Sequence, residues 1–332
     1  DVHYNQYYGL WGLWNGNSGI LRSNQLYRTG YYDGARVWGG PLLLEGNVAF
    51  RNGARGIQAI TRVTCKGNTV FSNNSDGIYV EGSAANPSEA VENRIFLNNG
   101  SGLYSQSYAN ARRNVVYSNK GHGIFVEGYE GDFRVIANNL CYHNGDADDE
   151  YNILLSANYW QGKQGLIENN TVYGGGGIYI GNPIAVTNRN NIIWATGAGR
   201  YALVRYTHMD RWYASGIFAS DNNLIFATGG ASFSSWLGRQ NDLLEWRAST
   251  GQDEHSFTAN PLFVNPSGAD GTIGGTNGWD DNFHLASTAG SFAGARWQDG
   301  RVRLFGGRRG VDDPGLARCW RGSGGGLRAG RP

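Results

Sequence analysis

Hydrophobic and polar positions repeat every 21 to 25 residues between residues 44 and 126 of the chain. Each repeat has an Asn, a run of apolar residues, a second Asn five positions after the first, and a Gly nine positions after the first. Regular copies begin at Asn47, Asn68, Asn93 and Asn114, and looser copies begin at Asn139, Asn170, Asn191 and Asn223. A fixed period of this size predicts a solenoid in which each repeat forms one coil.

The apolar runs are short, rich in β-branched and aromatic residues, and separated by Asn or Gly. They are too short for a helix and fit β-strands that pair in parallel with the equivalent strand one coil later. Asn and Gly recur at the corners, where we expect left-handed backbone angles that these two residues tolerate. Asn side chains at one corner are also expected to hydrogen-bond from coil to coil as a ladder.

The repeat pattern N-x-[VI]-x-x-N-x-x-x-G-[IL]-x-V, over about residues 15 to 230, resembles the right-handed parallel β-helix of the pectate-lyase-like superfamily in its secreted bacterial form. The resemblance implies an all-β solenoid of about 8 to 10 coils with a helix-containing C-terminal cap. Lyases, hydrolases, epimerases, tailspikes and adhesins share this fold. The fold therefore does not determine an activity.

Composition divides the chain into four segments. Residues 1–43 are aromatic-rich and are predicted to form irregular N-terminal coils, residues 44–230 contain the repeats, and residues 231–299 form a capping segment. Within the cap, a short helix is predicted over Asn241–Arg247, with an Asn or Asp at its start and an end near Gly251. Residues 300–332 are rich in Gly and Arg, which predicts a disordered tail.

Charge and composition narrow the range of partners. A net charge of +1 provides no field that would recruit nucleic acid or a membrane surface, and no apolar run is long enough to span a bilayer. The chain starts at Asp1, so processing upstream is expected, and the resemblance then predicts a secreted or cell-surface monomer. Cys65 occupies an apolar repeat position and is predicted to be a buried free thiol, and the three Cys form no metal motif.

The repeats differ in length at one corner, after the strand that follows the repeat Gly. The extra residues fall at 81–90, 127–134, 155–166 and 204–219. Insertions on one face of a solenoid often form its binding face. The inserted residues predicted to bind substrate are Tyr129, Tyr159, Trp160, Arg205 and His208.

The strand after the repeat Gly also predicts outward-facing columns. In the second copy, strand alternation places Ile78 and Val80 inward, so that Tyr79 and Glu81 face outward. The same register predicts two columns, Tyr79–Tyr104–Phe125 and Glu81–Gln106–Glu127. The aromatic column is predicted to be a floor for a sugar chain. The alternative is a cross-strand ladder that only stabilises the sheet.

These columns favour a polysaccharide-cleaving protein. In a hydrolase, Glu81 and Glu127 would serve as general acid and general base, and two strand spacings put them ~9.5 Å apart, at the upper end of the range for inversion. His122 is a further catalytic candidate, because residues 74–76 and 121–123 resemble two polygalacturonase motifs, although that family's Asp-Asp pair and Arg-Ile-Lys are absent. A non-catalytic glycan-binding or adhesion protein is the alternative.

A lyase that cleaves a uronate polymer is the other enzymatic candidate and would use an acidic run in the fifth repeat. Asp146, Asp148, Asp149 and Glu150 are candidate ligands for Ca²⁺, which would neutralise the uronate carboxylate, with Lys120 one coil below as the base. This mechanism requires the acidic run and the inserted loops to lie at the same corner. At different corners, the run is instead a solvated turn with one ion pair.

Overall fold

A computed structural model describes residues 2–13, 16–128, 133–157, 164–181, 185–206, 218–236, 238–286, 291–292, 295–298 and 301–304. The chain winds through three parallel sheets, named A, B and C here in the order in which each coil visits them. Each strand pairs in parallel with the equivalent strand one coil away, as in Thr69–Phe71 with Arg94–Phe96. The predicted all-β, right-handed parallel β-helix is confirmed.

The strands of each sheet follow one another along the solenoid. Sheet A contains Val2–His3, Gln25–Tyr27, Val48–Phe50, Thr69–Phe71, Arg94–Phe96, Val115–Tyr117, Leu140–Tyr142, Thr171–Tyr173, Ile192–Thr196 and Leu224–Thr228. Sheet B contains Leu10–Leu13, Ala35–Trp38, Ile57–Ile60, Ile78–Glu81, Leu103–Gln106, Ile124–Gly128, Tyr151–Ala157, Gly176–Gly181, Tyr201–Tyr206, Ser232–Ser235 and an antiparallel Arg239–Gln240. Sheet C contains Gly19–Arg22, Leu42–Glu45, Val63–Lys66, Ser88–Val91, Ala109–Arg112, Phe133–Ala137, Gln164–Glu168, Ala185–Arg189 and Phe218–Asp221.

The aromatic-rich N-terminal segment already belongs to these sheets. Leu10–Leu13 pairs with Ala35–Trp38 in sheet B, and Gly19–Arg22 pairs with Leu42–Glu45 in sheet C. Regular coils therefore begin before residue 44. The repeat pattern missed them because Thr29 stands at the position of the second repeat Asn, where its N–H bonds to an Asn side chain of the next coil.

Two Asn ladders run along the solenoid, one at the corner between sheets C and A and one at the corner between sheets A and B. Asn98 Nδ2 donates to Asn119 Oδ1 over 2.9 Å, and the same oxygen accepts the backbone N–H of Asn98 over 3.0 Å. The first ladder is Asn24, Asn47, Asn68, Asn93, Asn114, Asn139, Asn170, Asn191 and Asn223. The second ladder is Asn52, Asn73, Asn98, Asn119, Asn144 and Asn152. The predicted ladder is confirmed.

Left-handed backbone angles occur at the corners, as predicted, at the residue before the ladder Asn, as at Ser72 (φ 55°), which precedes Asn73. At the corner between sheets C and A this residue is often Gly or Asn: Gly46, Gly67, Asn138, Asn169, Asn190 and Asn222. The ladder Asn and the repeat Gly are themselves not left-handed, so the predicted reason does not apply to them. Gly77, the repeat Gly, has no positive φ; a Cβ there would lie 2.4 Å from Ile95 Cγ2 and 2.7 Å from Gly102 O. Asn is therefore required for its hydrogen bonds, and the repeat Gly is required because the next coil approaches too closely for a side chain.

Inward side chains from the three sheets fill the coil interior with one continuous apolar core. Ile78, Leu103 and Ile124 are fully buried in it. Cys65 is a buried free thiol, as predicted, and burial raises its pKa to about 12.

The C-terminal cap contains the predicted helix, observed over Leu243–Thr250. The side chain of Asp242 accepts a hydrogen bond from the N–H of Glu245, and the helix ends at Gly251 with φ 67°. Trp246 is fully buried against the core of the last coils. No helix in the described part of the chain is long and apolar enough to cross a membrane.

Residues 257–286 pack back along the outer face of sheet A. The structured elements here are Phe263–Asn265, the 3₁₀ turn Gly275–Asn277 and Asn282–Leu285. This face carries a column of stacked rings, Tyr27, Phe50, Phe71, Phe96, Tyr117 and Tyr142. Phe283 packs on Tyr142 with 4.6 Å between ring centroids, so part of this face is covered by the chain itself.

Three short antiparallel strands follow at Ser291–Phe292, Ala295–Gln298 and Arg301–Leu304, and the rest of the predicted disordered tail lies outside the described residues.

The insertions and the acidic run lie on opposite edges of sheet B. All four insertions connect a strand of sheet B to the following strand of sheet C, as predicted for a single corner. The acidic run instead connects Leu140–Tyr142 of sheet A to Tyr151–Ala157 of sheet B. The condition that the lyase mechanism requires, one shared corner, is therefore not met.

Candidate functional site

The outer face of sheet B carries both predicted columns. The observed pairs are Tyr79–Tyr104–Phe125 and, two residues further along each strand, Glu81–Gln106–Glu127. Each step along a column is one strand spacing, ~4.8 Å. The register predicted from strand alternation is confirmed for all six positions.

Tyrosine hydroxyls connect the two columns. The Tyr79 hydroxyl lies 2.7 Å from Glu81 Oε2 and also bonds to Gln106 Oε1. The Tyr104 hydroxyl donates to Glu127 Oε2. Burial, and then the hydrogen bond to Glu81, raise the pKa of Tyr79, so that its hydroxyl stays protonated and acts as a donor. Each carboxylate is therefore held in place by a neighbouring tyrosine.

The Tyr79 ring is not available for stacking with a sugar. It is 6% exposed, and the guanidinium carbon of Arg55 lies 4.5 Å from its centroid. Arg55 is itself paired with Asp76 over 3.1 Å. Tyr104 and Phe125 are half-buried, with ring centroids 4.7 Å apart. Tyr79 thus supports Glu81, and only Tyr104 and Phe125 retain the geometry predicted for an aromatic floor.

Asp76, Ser101 and His122 occupy equivalent positions at the edge between sheets A and B. Asp76 Oδ1 accepts the N–H of Ser101 over 3.0 Å, and the carbonyl of His122 accepts the N–H of Gly102 over 2.9 Å. Their likeness to polygalacturonase motifs is therefore explained by the repeat register. Asp76 is engaged by Arg55 and by the backbone of the next coil.

His122 supports the backbone of the next coil as an acceptor, which predicts a pH effect on stability. Its Nδ1 accepts the N–H of Tyr151 over 3.0 Å, and burial lowers its pKa, with Asp149 partly opposing the shift. As the pH falls, the His122 ring is therefore protonated at a higher pH in the unfolded chain than in the folded protein. Its contribution to the free energy of unfolding is complete above pH ~6.5 and is lost as the pH falls below that value.

We expect His122→Asn, whose amide oxygen can accept the same bond, to lose less stability than wild type between pH 7 and pH 5 in urea titrations. An identical loss in both proteins would contradict this role.

The acidic run encloses an arginine side chain. Arg200 donates to the carbonyl of Glu150 over 3.0 Å and to that of Gly145 over 3.3 Å. Asp148 lies 3.8 Å from Arg200, with 88% of its side chain exposed. Within the described ranges, no group of three or more His, Cys, Asp or Glu side chains could hold a metal ion. The four carboxylates predicted as calcium ligands, Asp146, Asp148, Asp149 and Glu150, do not form such a group. A turn with one ion pair describes the run better, with Arg200 as the cation.

The other predicted site residues are scattered. Lys120 is exposed next to the acidic run, and its carbonyl accepts the N–H of Asp146. Arg205 pairs in register with Ile180, points inward and is 4% exposed, so the prediction that it contacts substrate on the outer face is wrong. The predicted residues Tyr129, Tyr159, Trp160 and His208 lie outside the described residues.

Arg55 is a residue of this face that the sequence pattern did not single out. It stands immediately before a repeat Gly, at the position that Asp76 occupies one coil later. That equivalence was sufficient to predict the Arg55–Asp76 ion pair. The position of the guanidinium over the Tyr79 ring depends on side-chain direction, which the repeat does not specify.

Comparisons with known proteins support the fold. The family model described as "Right handed beta helix region" matches residues 1–111, the first third of the chain. No curated protein sequence matches the chain. Together with the parallel solenoid, the family match confirms the predicted resemblance to a right-handed β-helix of the pectate-lyase-like type.

Three solved structures are similar at low identity. A mutant of the periplasmic alginate epimerase AlgG is 14% identical, with a TM-score of 0.42. The match covers 62% of this chain and only 58% of the epimerase chain. The A-module of the mannuronan C-5 epimerase AlgE4 from Azotobacter vinelandii is 15% identical, with a TM-score of 0.46 over 77% of each chain. Pectate lyase Pel9A is 14% identical, with a TM-score of 0.40 over 85% of this chain and 79% of that one. These values are too low to transfer an activity.

Proposed function

We propose that this protein is an extracellular polysaccharide hydrolase whose substrate lies along the outer face of sheet B. The observation that supports this most directly is the Glu81–Gln106–Glu127 column, with a tyrosine hydroxyl on each Glu. Gln106, between the two carboxylates, is placed to bind substrate hydroxyl groups. A linear polymer lying along the solenoid axis would contact all three side chains.

The spacing of the two carboxylates favours an inverting mechanism. Two strand spacings give ~9.5 Å between the backbones of Glu81 and Glu127, which leaves room for a water molecule beside the sugar. One carboxyl group would protonate the leaving glycosidic oxygen while the other activates this water. Retention needs the two groups only about 5 Å apart, which is much closer than this column provides.

The geometry favours a hydrolase over a lyase. The residues that the lyase mechanism would use, the Ca²⁺ ligands of the acidic run and the base Lys120, lie at the edge of sheet B next to sheet A. The carboxylate column lies at the edge next to sheet C. Arg200 also occupies the acidic run. The groups that β-elimination would need are therefore separated, whereas the two that hydrolysis needs share one column.

Glu81→Gln and Glu127→Gln should each reduce the turnover rate about 10²- to 10⁴-fold, as is usual on losing a general acid or base. The measurement is release of new reducing ends from a panel of plant and algal polysaccharides. Glu89→Gln is the matched control, because Glu89 is an outward carboxylate of sheet C that pairs with Arg112 over 3.2 Å.

Four outcomes would contradict the proposal. Either column variant could keep the wild-type rate, or the control could lose as much activity as they do. Alternatively, products could absorb as unsaturated uronates, which would indicate a lyase. Binding without any cleavage across the panel would favour the non-catalytic glycan-binding alternative, in which the Tyr–Glu hydrogen bonds serve only to stabilise the sheet.

A further inference from the structure

The first two coils carry a dense group of aromatic side chains, here called the N-terminal aromatic platform. Its members are Tyr7, Tyr8, Trp11, Tyr31, Tyr32 and Trp38. Trp11 and Trp38 are outward residues of the first two strands of sheet B, and the four tyrosines lie at the adjoining corner between sheets A and B. The two tryptophans therefore lie on the outer face of sheet B, and the four tyrosines lie at its edge next to sheet A, the edge opposite the carboxylate column.

The two tryptophans of the platform continue the face that carries the carboxylate column. Trp38 pairs with Ile60, and Ile60 pairs with Glu81, so Trp38 lies in the Glu81 column two coils earlier. Trp11 lies in the Tyr79 column, three coils before Tyr79. A polymer that follows the solenoid axis past Glu81 towards the N-terminal end would cross the coil of Gln58 and Ile60 and then meet the rings of Trp38 and Trp11.

The rings are unusually exposed for their size. Tyr31 is 68% exposed, Tyr7 and Trp11 are each 59% exposed, and Tyr32 is 42% exposed. Several of them contact one another, with 5.8 Å between the Tyr7 and Tyr32 centroids and 5.0 Å between those of Trp11 and Trp38. A contiguous exposed aromatic surface usually marks a binding site, because exposing it to water is unfavourable.

Arg36 adds polar recognition to the aromatic surface. It pairs in register between Trp11 and Gln58, and its Nη1 donates to the Tyr8 hydroxyl over 2.7 Å. Its guanidinium carbon lies 5.7 Å from the Tyr8 ring and 5.8 Å from the Trp38 ring. The platform thus combines flat apolar rings with phenol and guanidinium groups that can bond to hydroxyls.

We propose that the N-terminal aromatic platform binds pyranose rings of a linear polysaccharide, two to three sugar units before the Glu81–Glu127 column. The C–H face of a pyranose can cover an aromatic ring while its hydroxyls, at the ring edge, bond to Arg36 and the phenols. One coil rises ~4.8 Å, about the length of one sugar unit, so successive sugars meet successive coils. The identity of the polymer rests on the proposed function, but its binding at the platform does not.

The test measures binding without cleavage. In a Glu81→Gln background, we would run affinity electrophoresis through gels that contain polygalacturonate, alginate, xylan or mixed-linkage β-glucan. The double variant Trp11→Ala/Tyr32→Ala should raise the dissociation constant at least about 10-fold in the gel that retards the parent, since tenfold is only 1.4 kcal/mol. Trp279→Ala is the matched control, because Trp279 is 56% exposed but packs on Arg94 at the outer face of sheet A. The control should bind like the parent.

Several results would overturn the proposal. The parent could pass unretarded through all four gels, the double variant could be retarded equally, or Trp279→Ala could lose as much affinity. Sedimentation could also show a wild-type dimer that the double variant dissociates, which would make the platform an interface between copies. If the double variant unfolds, Tyr31→Ala decides, since that ring is largely exposed. Cleavage by the wild type with no retardation of the Glu81→Gln parent in any gel contradicts only the platform, whereas retardation of that parent without any cleavage by the wild type contradicts only the Glu pair.

Discussion

Asn98→Ala should destabilise the protein by about 3 to 5 kcal/mol, because it breaks the ladder in its middle. Asn98 is fully buried, and its Oδ1 accepts both the backbone N–H and the Nδ2 of Asn73, over 3.1 and 2.9 Å. Its Nδ2 donates to Asn119 Oδ1 and to two carbonyls, those of Val70 and Phe96. Alanine leaves these buried groups without partners, and each one costs about 1 to 3 kcal/mol.

Urea unfolding followed by far-UV circular dichroism measures this loss. Asn99→Ala is the control, since Asn99 is the adjacent residue of the same type and is exposed. Its truncation should change the free energy of unfolding by no more than about 0.5 kcal/mol. Equal losses for Asn98→Ala and Asn99→Ala would mean that the ladder adds nothing beyond ordinary surface contacts.

Gly77→Ala should cost about 3 kcal/mol or more, although it adds a single methyl group. The new Cβ would lie 2.4 Å from Ile95 Cγ2, 2.7 Å from Asn98 Nδ2 and 2.7 Å from Gly102 O. One of these neighbours is backbone and another is a ladder amide, so relief requires two coils to move apart.

Gly67 provides a comparison that separates crowding from backbone strain. Its φ is +62°, and nothing lies within 4 Å of a Cβ built there. Gly67→Ala should cost only about 1 to 2 kcal/mol, and Gly67→Asn less still, because Asn tolerates the left-handed region. Asn at position 77 should be at least as harmful as Ala, since it is larger. If Gly77→Asn were milder than Gly77→Ala, backbone angle and not crowding would explain the repeat Gly. Urea unfolding of all four variants decides the matter.

The repeat determined the features that connect equivalent residues one coil apart. Once the period was counted, strand alternation placed Tyr79 and Glu81 outward, and parallel stacking placed Gln106 and Glu127 in register with Glu81. The Asn ladder and the single corner of the insertions were predictable for the same reason, and the C-terminal helix was predictable from its own capping residues. Each depends on local backbone geometry or on contact with the next coil, and such contacts are repeated in the sequence.

The irregular positions were harder to assign from sequence. Arg205 was predicted on a loop, yet it pairs with Ile180 and points inward, because the strand Tyr201–Tyr206 lacks the repeat Gly that would have set its frame. If Leu203 is aligned with Ile178, Arg205 falls at the inward, apolar position of Ile180.

Only the tertiary structure decided where long side chains and distant segments lie. Arg200 reaches an acidic run about 50 residues earlier in the chain, and Arg55 covers the ring of Tyr79. Phe283 joins a ring column built by the coils more than 100 residues before it. The physical reason is that a repeat specifies the backbone path and which face each residue occupies. The direction of a flexible arginine, or the docking of a segment outside the repeats, depends on shapes and charges that meet only after the solenoid has formed.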